Sequence, residues 1–325
     1  MLFSSEKALQ RINSELLLLE FGNRPAELYE PLYYIFSLGG KRLRPLLTLM
    51  ACQLYEENFE KSLKPALAIE VFHNFSLIHD DIMDQANVRR GKPTVHTKWD
   101  IPTAILSGDV ALVEAYKLIM EVDENLKTKA FSLFSKTAKE VCEGQQLDML
   151  FEKRQQVSVA EYMEMIRLKT AVLLGFSLQI GALVGGASEE EASKLRSFGE
   201  NIGLAFQVKD DFLDAYGQAS KIGKTIGGDI VANKKTYLYT KAMELADDKT
   251  AKELGAIFEN QKLAVDDKVK TVMAIYDQLQ IEKETKILME ELYVRAVKNL
   301  SGLSPGIMKI AKLKAFADEL MGREH

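Results

Sequence analysis

Cysteine and histidine are scarce in this chain, and proline is missing from most of it. Two cysteines, Cys52 and Cys142, stand in 325 residues. That excludes a disulfide framework and a cysteine-rich metal site, and a reducing, cytoplasmic setting fits. No basic block occurs, and the formal net charge is −5, so nucleic acid is excluded as the main partner. No apolar leader core stands in Met1–Gln10, which holds Glu6 and Lys7. The most membrane-like run, Ala171–Gly186, is about 16 residues, short for a span, and is broken by Gly175, Ser177, Gln179 and Gly181. It reads as a buried core helix, with no integral membrane segment expected. Linkers rich in Gly, Ser or Pro, low-complexity tracts and short-period repeats are all absent, and so are strand signals of β-branched alternation bounded by Asn-Gly or Asp-Gly.

The seven prolines sit at 25, 31, 45, 65, 93, 102 and 305, so none interrupts residues 103–304. Apolar residues recur there at three- and four-residue spacing, which predicts helices over Ala111–Met120, Phe131–Leu150, Ala160–Val184, Glu190–Tyr216 and Val269–Leu300. Apolar residues make up 47% and charged residues 27%, ordinary for a globular protein. The expectation is an all-α fold, one domain over 1–325, built as a bundle of ten or more helices.

One acidic signature occurs twice, as Asp80-Asp81-Ile82-Met83-Asp84 and Asp210-Asp211-Phe212-Leu213-Asp214. Apolar residues precede each copy, Phe72–Ile78 and Ile202–Val208, and loops marked by Gly and Pro follow, Arg89–Pro102 and Gly217–Lys235. On a helix turning about 100° per residue, the first and last Asp of each copy share a face. Carboxylates crowded beside apolar residues repel one another and are costly to desolvate, and a helix C-terminus is itself partly negative. A hard cation answers this, and oxygen ligands with little His and no Cys-rich set suit Mg²⁺ shared with substrate phosphates. A single copy could be a solvated helix end; two on apolar flanks argue for metal.

Basic groups gather around the acids in sequence. Lys41, Arg42 and Arg44 lie in Gly39–Pro45, a turn entering a helix whose unpaired N–H groups favour an anion, though a solvated turn has the same composition. Arg89-Arg90 follows the first motif and equally suits ion pairs with its Asp residues. Lys169-Thr170 opens the apolar run, where a plain flanking lysine is also common. Lys224 and Lys234 belong to a Gly-rich basic loop, weak evidence alone. Up to three Mg²⁺ with Lys169, Lys224 and Lys234 nearly balance six Asp and a diphosphate carrying about −3. Lys41, Arg44 and Arg90 are left for a second diphosphate.

The ordered set GGKRLRP (39–45), HDDIMD (79–84), RRGKPTVH (89–96), GD (108–109), GQQLD (144–148), KT (169–170), FQVKDDFLD (206–214) and GKTIGGDIVANKKT (223–236) resembles the trans-isoprenyl diphosphate synthases, or polyprenyl synthetases, over most of the chain. The resemblance implies a helical bundle around a central cavity, acting as a homodimer. It implies that Asp80, Asp81, Asp84, Asp210, Asp211 and Asp214 bind the Mg²⁺ that bridges to an allylic diphosphate. Arg89, Lys169, Lys224 and Lys234 grip that diphosphate, and Lys41, Arg44, His73 and Arg90 bind isopentenyl diphosphate. Thr170 and Gln207 flank the allylic carbon. The allylic C–O bond ionises, the isopentenyl double bond attacks, and a proton is lost to the released diphosphate. Tyr237-Leu238 departs from the Leu-Pro or Phe-Pro common at that place in the family.

Product length is implied by Phe75 and Ser76, five and four residues before Asp80. An aromatic followed by a small residue resembles short-chain synthases making the twenty-carbon geranylgeranyl product, with farnesyl or longer chains as alternatives. Phe72 and Tyr116 narrow the same region or simply pack the core. Three rivals fit less well. A metal-dependent HD phosphohydrolase, suggested by His79-Asp80, needs an earlier histidine, and His73, His79, His96 and His325 are the whole set. A terpene cyclase usually lacks a full second acidic motif, and a non-catalytic partner subunit usually loses some of its Asp.

Overall fold

Residues 4–217, 227–259 and 264–322 are described by the computed structural model, and the fold is all-α as expected. In chain order come α1 (Ser5–Leu17), α2 (Ala26–Ser37), α3 (Leu43–Tyr55), α4 (Leu63–Met83), α5 (Val95–Lys98), α6 (Ile101–Ile119), α7 (Lys127–Lys153), α8 (Val159–Ile166), α9 (Val172–Val184) and α10 (Glu189–Tyr216). After them come α11 (Gly228–Val231), α12 (Tyr237–Leu245), α13 (Asp248–Glu259), α14 (Val265–Gln278), α15 (Ile281–Asn299) and α16 (Ile307–Leu320). Helix starts follow local chemistry. Ser4 caps α1, Asp100 caps α6 ahead of Pro102, and Ser158 with Glu161 forms a reciprocal capping box on α8.

The chain folds as two compact units; the boundaries between them fall inside α7, α10 and α16, at the start of α9 and in the turn after α15. Unit 1 holds residues 1–138, 173–196 and 302–313. Its central helix is α4, which buries Leu67, Ala68, Ile69, Val71 and Phe72 on all sides. A helix apolar all round must be enclosed. Beside it lies an aromatic cluster: Phe72 touches Phe75 and Phe134 at ring separations of 5.5 and 5.4 Å, and Phe134 meets Tyr116 at 4.8 Å and Phe176 at 5.7 Å. Unit 2 holds residues 139–172, 197–301 and 314–325, including the acidic end of α10 and α11–α15.

The structure departs from the expected elements in three places. The helix expected over Ala160–Val184 is broken into α8 and α9 by a π-helical turn, Arg167–Ala171. The helix expected over Val269–Leu300 is cut between α14 and α15, where Gln280 adopts φ 56° and ends the ladder; no Gly or Pro marks the spot. A two-residue antiparallel ladder, Val88–Arg89 with Lys92–Pro93, forms where no strand was expected. Its turn residues Arg90 and Gly91 both have positive φ, 54° and 74°, the backbone of a tight hairpin whose usual Asn-Gly signal Arg-Gly conceals.

The apolar run Val159–Val184 has the length and composition of a membrane span, yet 83% of its most apolar window is buried inside the protein. Part of that burial is backbone against backbone. A Cβ on Gly181 would enter the van der Waals shell of the Thr48 carbonyl on α3, so α9 lies closer than any larger residue permits. Gly181→Ala is expected to destabilise the protein by about 1–3 kcal/mol, the range for overpacking, read as a lowered midpoint in chemical denaturation.

Candidate active site

The first acidic motif occupies the last turn of α4 and its C-cap, in unit 1. Its three Asp are not equivalent. Asp81 is 1% exposed and accepts hydrogen bonds from Arg89 Nε at 2.9 Å and Nη2 at 2.7 Å. Asp80 is half-buried and Asp84 exposed. Helical rotation explains this, since residues 80 and 84 share a face while 81 turns about 100° toward the interior. The Arg90-Gly91 turn fixes the hairpin that carries Arg89 back to Asp81. Burial works against the Arg89 charge, but Asp81 and then Asp80 and Asp84 outweigh it and raise its pKa.

Behind this motif, cations converge with few acids to balance them. Arg44 Nη1 lies 3.2 Å from His73 Nε2. His73 is held well below its usual pKa by burial and then by Arg44, Arg90, Arg89 and Arg42, so the ring is neutral and accepts from Arg44. Arg44 Nε is buried with no partner among the described residues. Arg90 donates to the Gly39 carbonyl, which ties the Gly39-Gly40 turn to the hairpin. Lys41 is exposed. Arg42 corrects the reading of this turn as three like cations. It is 4% exposed, pairs with Glu70 at 2.5 Å and donates to the Phe36 carbonyl at 3.1 Å. It is a structural cation, and the remaining guanidiniums suit an anion.

In unit 2 the second motif ends α10 and repeats the pattern. Asp210 is exposed and Asp214 half-buried, while Asp211 is 5% exposed. Tyr162 donates its hydroxyl to Asp211, joined by the Tyr237 N–H at 3.3 Å and Gln207 Nε2 at 3.3 Å. Burial pushes the Asp211 carboxyl up to about 7, opposed by the Tyr162 hydrogen bond, and Asp229 adds a further upward push. Asp214 accepts from the Asp229 N–H at 2.8 Å.

A cavity of about 130 Å³ lies beside this motif, lined by Asp148, Tyr162, Lys169, Thr170, Gln207 and Lys234 among others. Lys169 and Thr170 stand on the π-helical turn, a deformation frequent at functional sites. Gly144 permits it: a Cβ there would collide with the Lys169 backbone, so α7 can pass only as glycine. Lys169 Nζ pairs with Asp148 at 2.6 Å, and Thr170 Oγ1 donates to Gln207 Oε1 at 3.4 Å. Lys234 Nζ lies 3.9 Å from Asp229, and its neighbour Lys235 donates to the carbonyls of Phe151 and Glu152 at the end of α7.

The fold therefore brings Arg44, His73, Arg89, Arg90 and the first motif together in one unit, and Lys169, Thr170, Gln207, Lys234 and the second motif together in the other. Lys224 lies outside the described residues. Tyr162 had no signal to single it out, and Asp148, Asp229 and Lys235 were visible only as members of GQQLD and GKTIGGDIVANKKT. Phe75 is 7% exposed with its ring 4.8 Å from His79, and Ser76 Oγ donates to the His73 carbonyl at 2.8 Å.

The donors suit a hard cation: the first and fifth Asp of each motif are exposed or half-buried carboxylates, without sulfur or imidazole among them. Among the described residues, no group of three or more His, Cys, Asp or Glu is placed to hold a metal ion by itself. Mg²⁺, which uses one or two carboxylates and completes its shell with water and phosphate, needs none. Glu70→Ala is expected to lower stability by about 3–5 kcal/mol by leaving Arg42 buried without its acid, measurable by urea unfolding. Gly144→Ala is expected to reduce turnover more than about tenfold, as a misplaced catalytic group does, with the helical circular dichroism retained.

Residues 25–276 match the family model for polyprenyl synthetases. The short chain isoprenyl diphosphate synthase of Methanocaldococcus jannaschii is 39% identical over 276 residues, covering 85% of this chain and 83% of that protein. The geranylgeranyl diphosphate synthase of Sulfolobus acidocaldarius is 38% identical over 282 residues, covering 86% and 85%. A crystal structure of a geranylgeranyl pyrophosphate synthase, 44% identical, superposes with a TM-score of 0.93 and full coverage of both chains. The chain belongs to the polyprenyl synthetase family.

Proposed function

We propose that this protein is a prenyltransferase that condenses isopentenyl diphosphate with an allylic diphosphate, and that its product is geranylgeranyl diphosphate. The observation that carries the reading is the repeated acidic helix end, each with a buried, hydrogen-bonded middle Asp and more accessible first and fifth Asp. Relatives named geranylgeranyl diphosphate synthases at 38–44% identity support the product. Two named geranylfarnesyl diphosphate synthases, 37% and 40% identical, favour a longer chain as the second reading.

Asp80 and Asp84, with Asp210 and Asp214, supply the carboxylates for Mg²⁺, and Asp81 and Asp211 anchor each set from inside. Bound Mg²⁺, up to three ions, supplies Lewis-acid stabilisation of the departing diphosphate. Lys169, Lys224, Lys234 and Arg89 hold that diphosphate, and Lys41, Arg44, His73 and Arg90 hold the isopentenyl one. The allylic C–O bond breaks with its electron pair leaving on the diphosphate. The oxygens of Thr170 and Gln207 face the carbon that becomes positive. The isopentenyl double bond then forms the new C–C bond, and the proton passes to the released diphosphate. Phe75, whose ring packs on Phe72 and through it on Phe134, is the residue that limits the length of the growing prenyl tail.

We read both compact units as one catalytic domain over 1–325, since the family match spans them and helices α7, α10 and α16 each run from one unit into the other. Exposed apolar residues on α6 and α7 (Ile105, Leu106, Val113 and Phe131) support a homodimer, and two free cysteines fit a cytoplasmic setting.

Asp80→Ala and Asp210→Ala are each expected to cut turnover by about 100-fold or more, beyond the loss typical of outer-shell changes, with helicity unchanged. Turnover near that of the unaltered protein in either would remove the metal assignment. Phe75→Ala is expected to lengthen the product by at least one five-carbon unit, sized by chromatography after incubation with dimethylallyl and isopentenyl diphosphates and Mg²⁺.

A further inference from the structure

The geometry points to Tyr162 as a positioning residue that orients the Gln207 amide through Asp211. This deepens the prenyl-transfer reading and rests on it. Four groups form a continuous relay within unit 2. Tyr162, 4% exposed, donates its hydroxyl to Asp211 Oδ2; Gln207 Nε2 donates to Asp211 Oδ1; Gln207 Oε1 accepts from Thr170. Each link fixes the next. The Tyr162 hydroxyl and the Tyr237 N–H both donate to Asp211 Oδ2, and Oδ1 accepts from Gln207, so the end of Gln207 that meets Asp211 is its NH₂. The amide oxygen is then the end left for Thr170 and the cavity. That is the polarity a developing carbocation requires; the reversed amide would aim two N–H groups at a positive centre.

Asp211 can do this only while its own plane is held. The Tyr237 N–H and Gln207 approach it at 3.3 Å, the long end of hydrogen-bonding distance, and the Tyr162 hydroxyl is its closest donor. Tyr162 sits on α8, the helical segment that enters the π-turn carrying Lys169 and Thr170. The hydroxyl therefore ties the end of α10 to the turn that presents the other two site residues. Tyr162 itself does not touch a reacting atom; it acts on Gln207 through Asp211.

The test replaces Tyr162 by 4-fluorophenylalanine, which fills the hydroxyl's space without its proton, alongside Tyr162→Phe. Single-turnover rate, KM for isopentenyl diphosphate, and calorimetric binding of farnesyl thiodiphosphate with Mg²⁺ are measured. The expected result is a loss of about 10–100-fold in rate, the range for supporting groups behind a site, with KM and thiodiphosphate affinity nearly unchanged. In a Gln207→Leu background the same replacement should cost almost nothing more, because the relay is already broken. A rate equal to that of the unaltered enzyme, or losses that multiply independently in the double variant, overturns the assignment. So does a parallel weakening of both ligands with a lowered unfolding midpoint in the fluorinated variant, which marks a packing role alone. An unaltered protein that turns over no prenyl substrate overturns the function itself and takes this role with it.

Discussion

Carboxylates at the edge of an apolar interior are the constraint around which this molecule is arranged. A charge taken from water without partners costs several kcal/mol. Each motif puts three Asp into about one helical turn, where one of the three must point inward. The chain answers with a dedicated partner for the inward residue in both copies. Arg89 takes Asp81 with two nitrogens, and Tyr162, Gln207 and the Tyr237 N–H take Asp211. The two solutions differ in kind, an ion pair in one and neutral donors in the other. They leave the same result, a first and fifth Asp more accessible than the one that turns inward.

The opposite imbalance sits behind the first motif. Arg44, Arg89, Arg90 and Arg42 all depress the charge of His73, and Glu70 is committed to Arg42. A neutral histidine accepting from Arg44 is what such crowding dictates, since a further positive charge would be repelled. A surplus of guanidinium groups around a half-buried ring is stable when an anion completes it, and a diphosphate has the charge and the oxygens to do so. Acid surplus and base surplus thus lie close together, on α4, the hairpin that follows it and the start of α3.

Much of this was legible before any fold was known. Repeated DDxxD, the proline-free stretch and apolar spacing of three and four are local patterns, and the all-α class and the ends of α4 and α10 follow them. The π-turn at Lys169-Thr170 was not legible, because its cause is the passage of Gly144 against it, 25 positions earlier in the chain. The cut at Gln280 was missed for the lack of Gly or Pro. Arg42 and Arg44 look alike in GGKRLRP, yet one is consumed by Glu70 and the other meets the neutral ring of His73. That difference depends on which residue of α4 each reaches.

Sequence alone determined the helical class, the position of both acidic ends and the family, since each is written in spacing along a single segment. Tertiary structure alone decided which Asp of each triplet turns inward and what meets it there. Asp211 and Tyr162 are 49 residues apart, and only the packing of α8 against α10 brings the hydroxyl to the carboxylate. Hydrogen bonds act over about 3 Å, so a distance along the chain says nothing of them until the helices have packed.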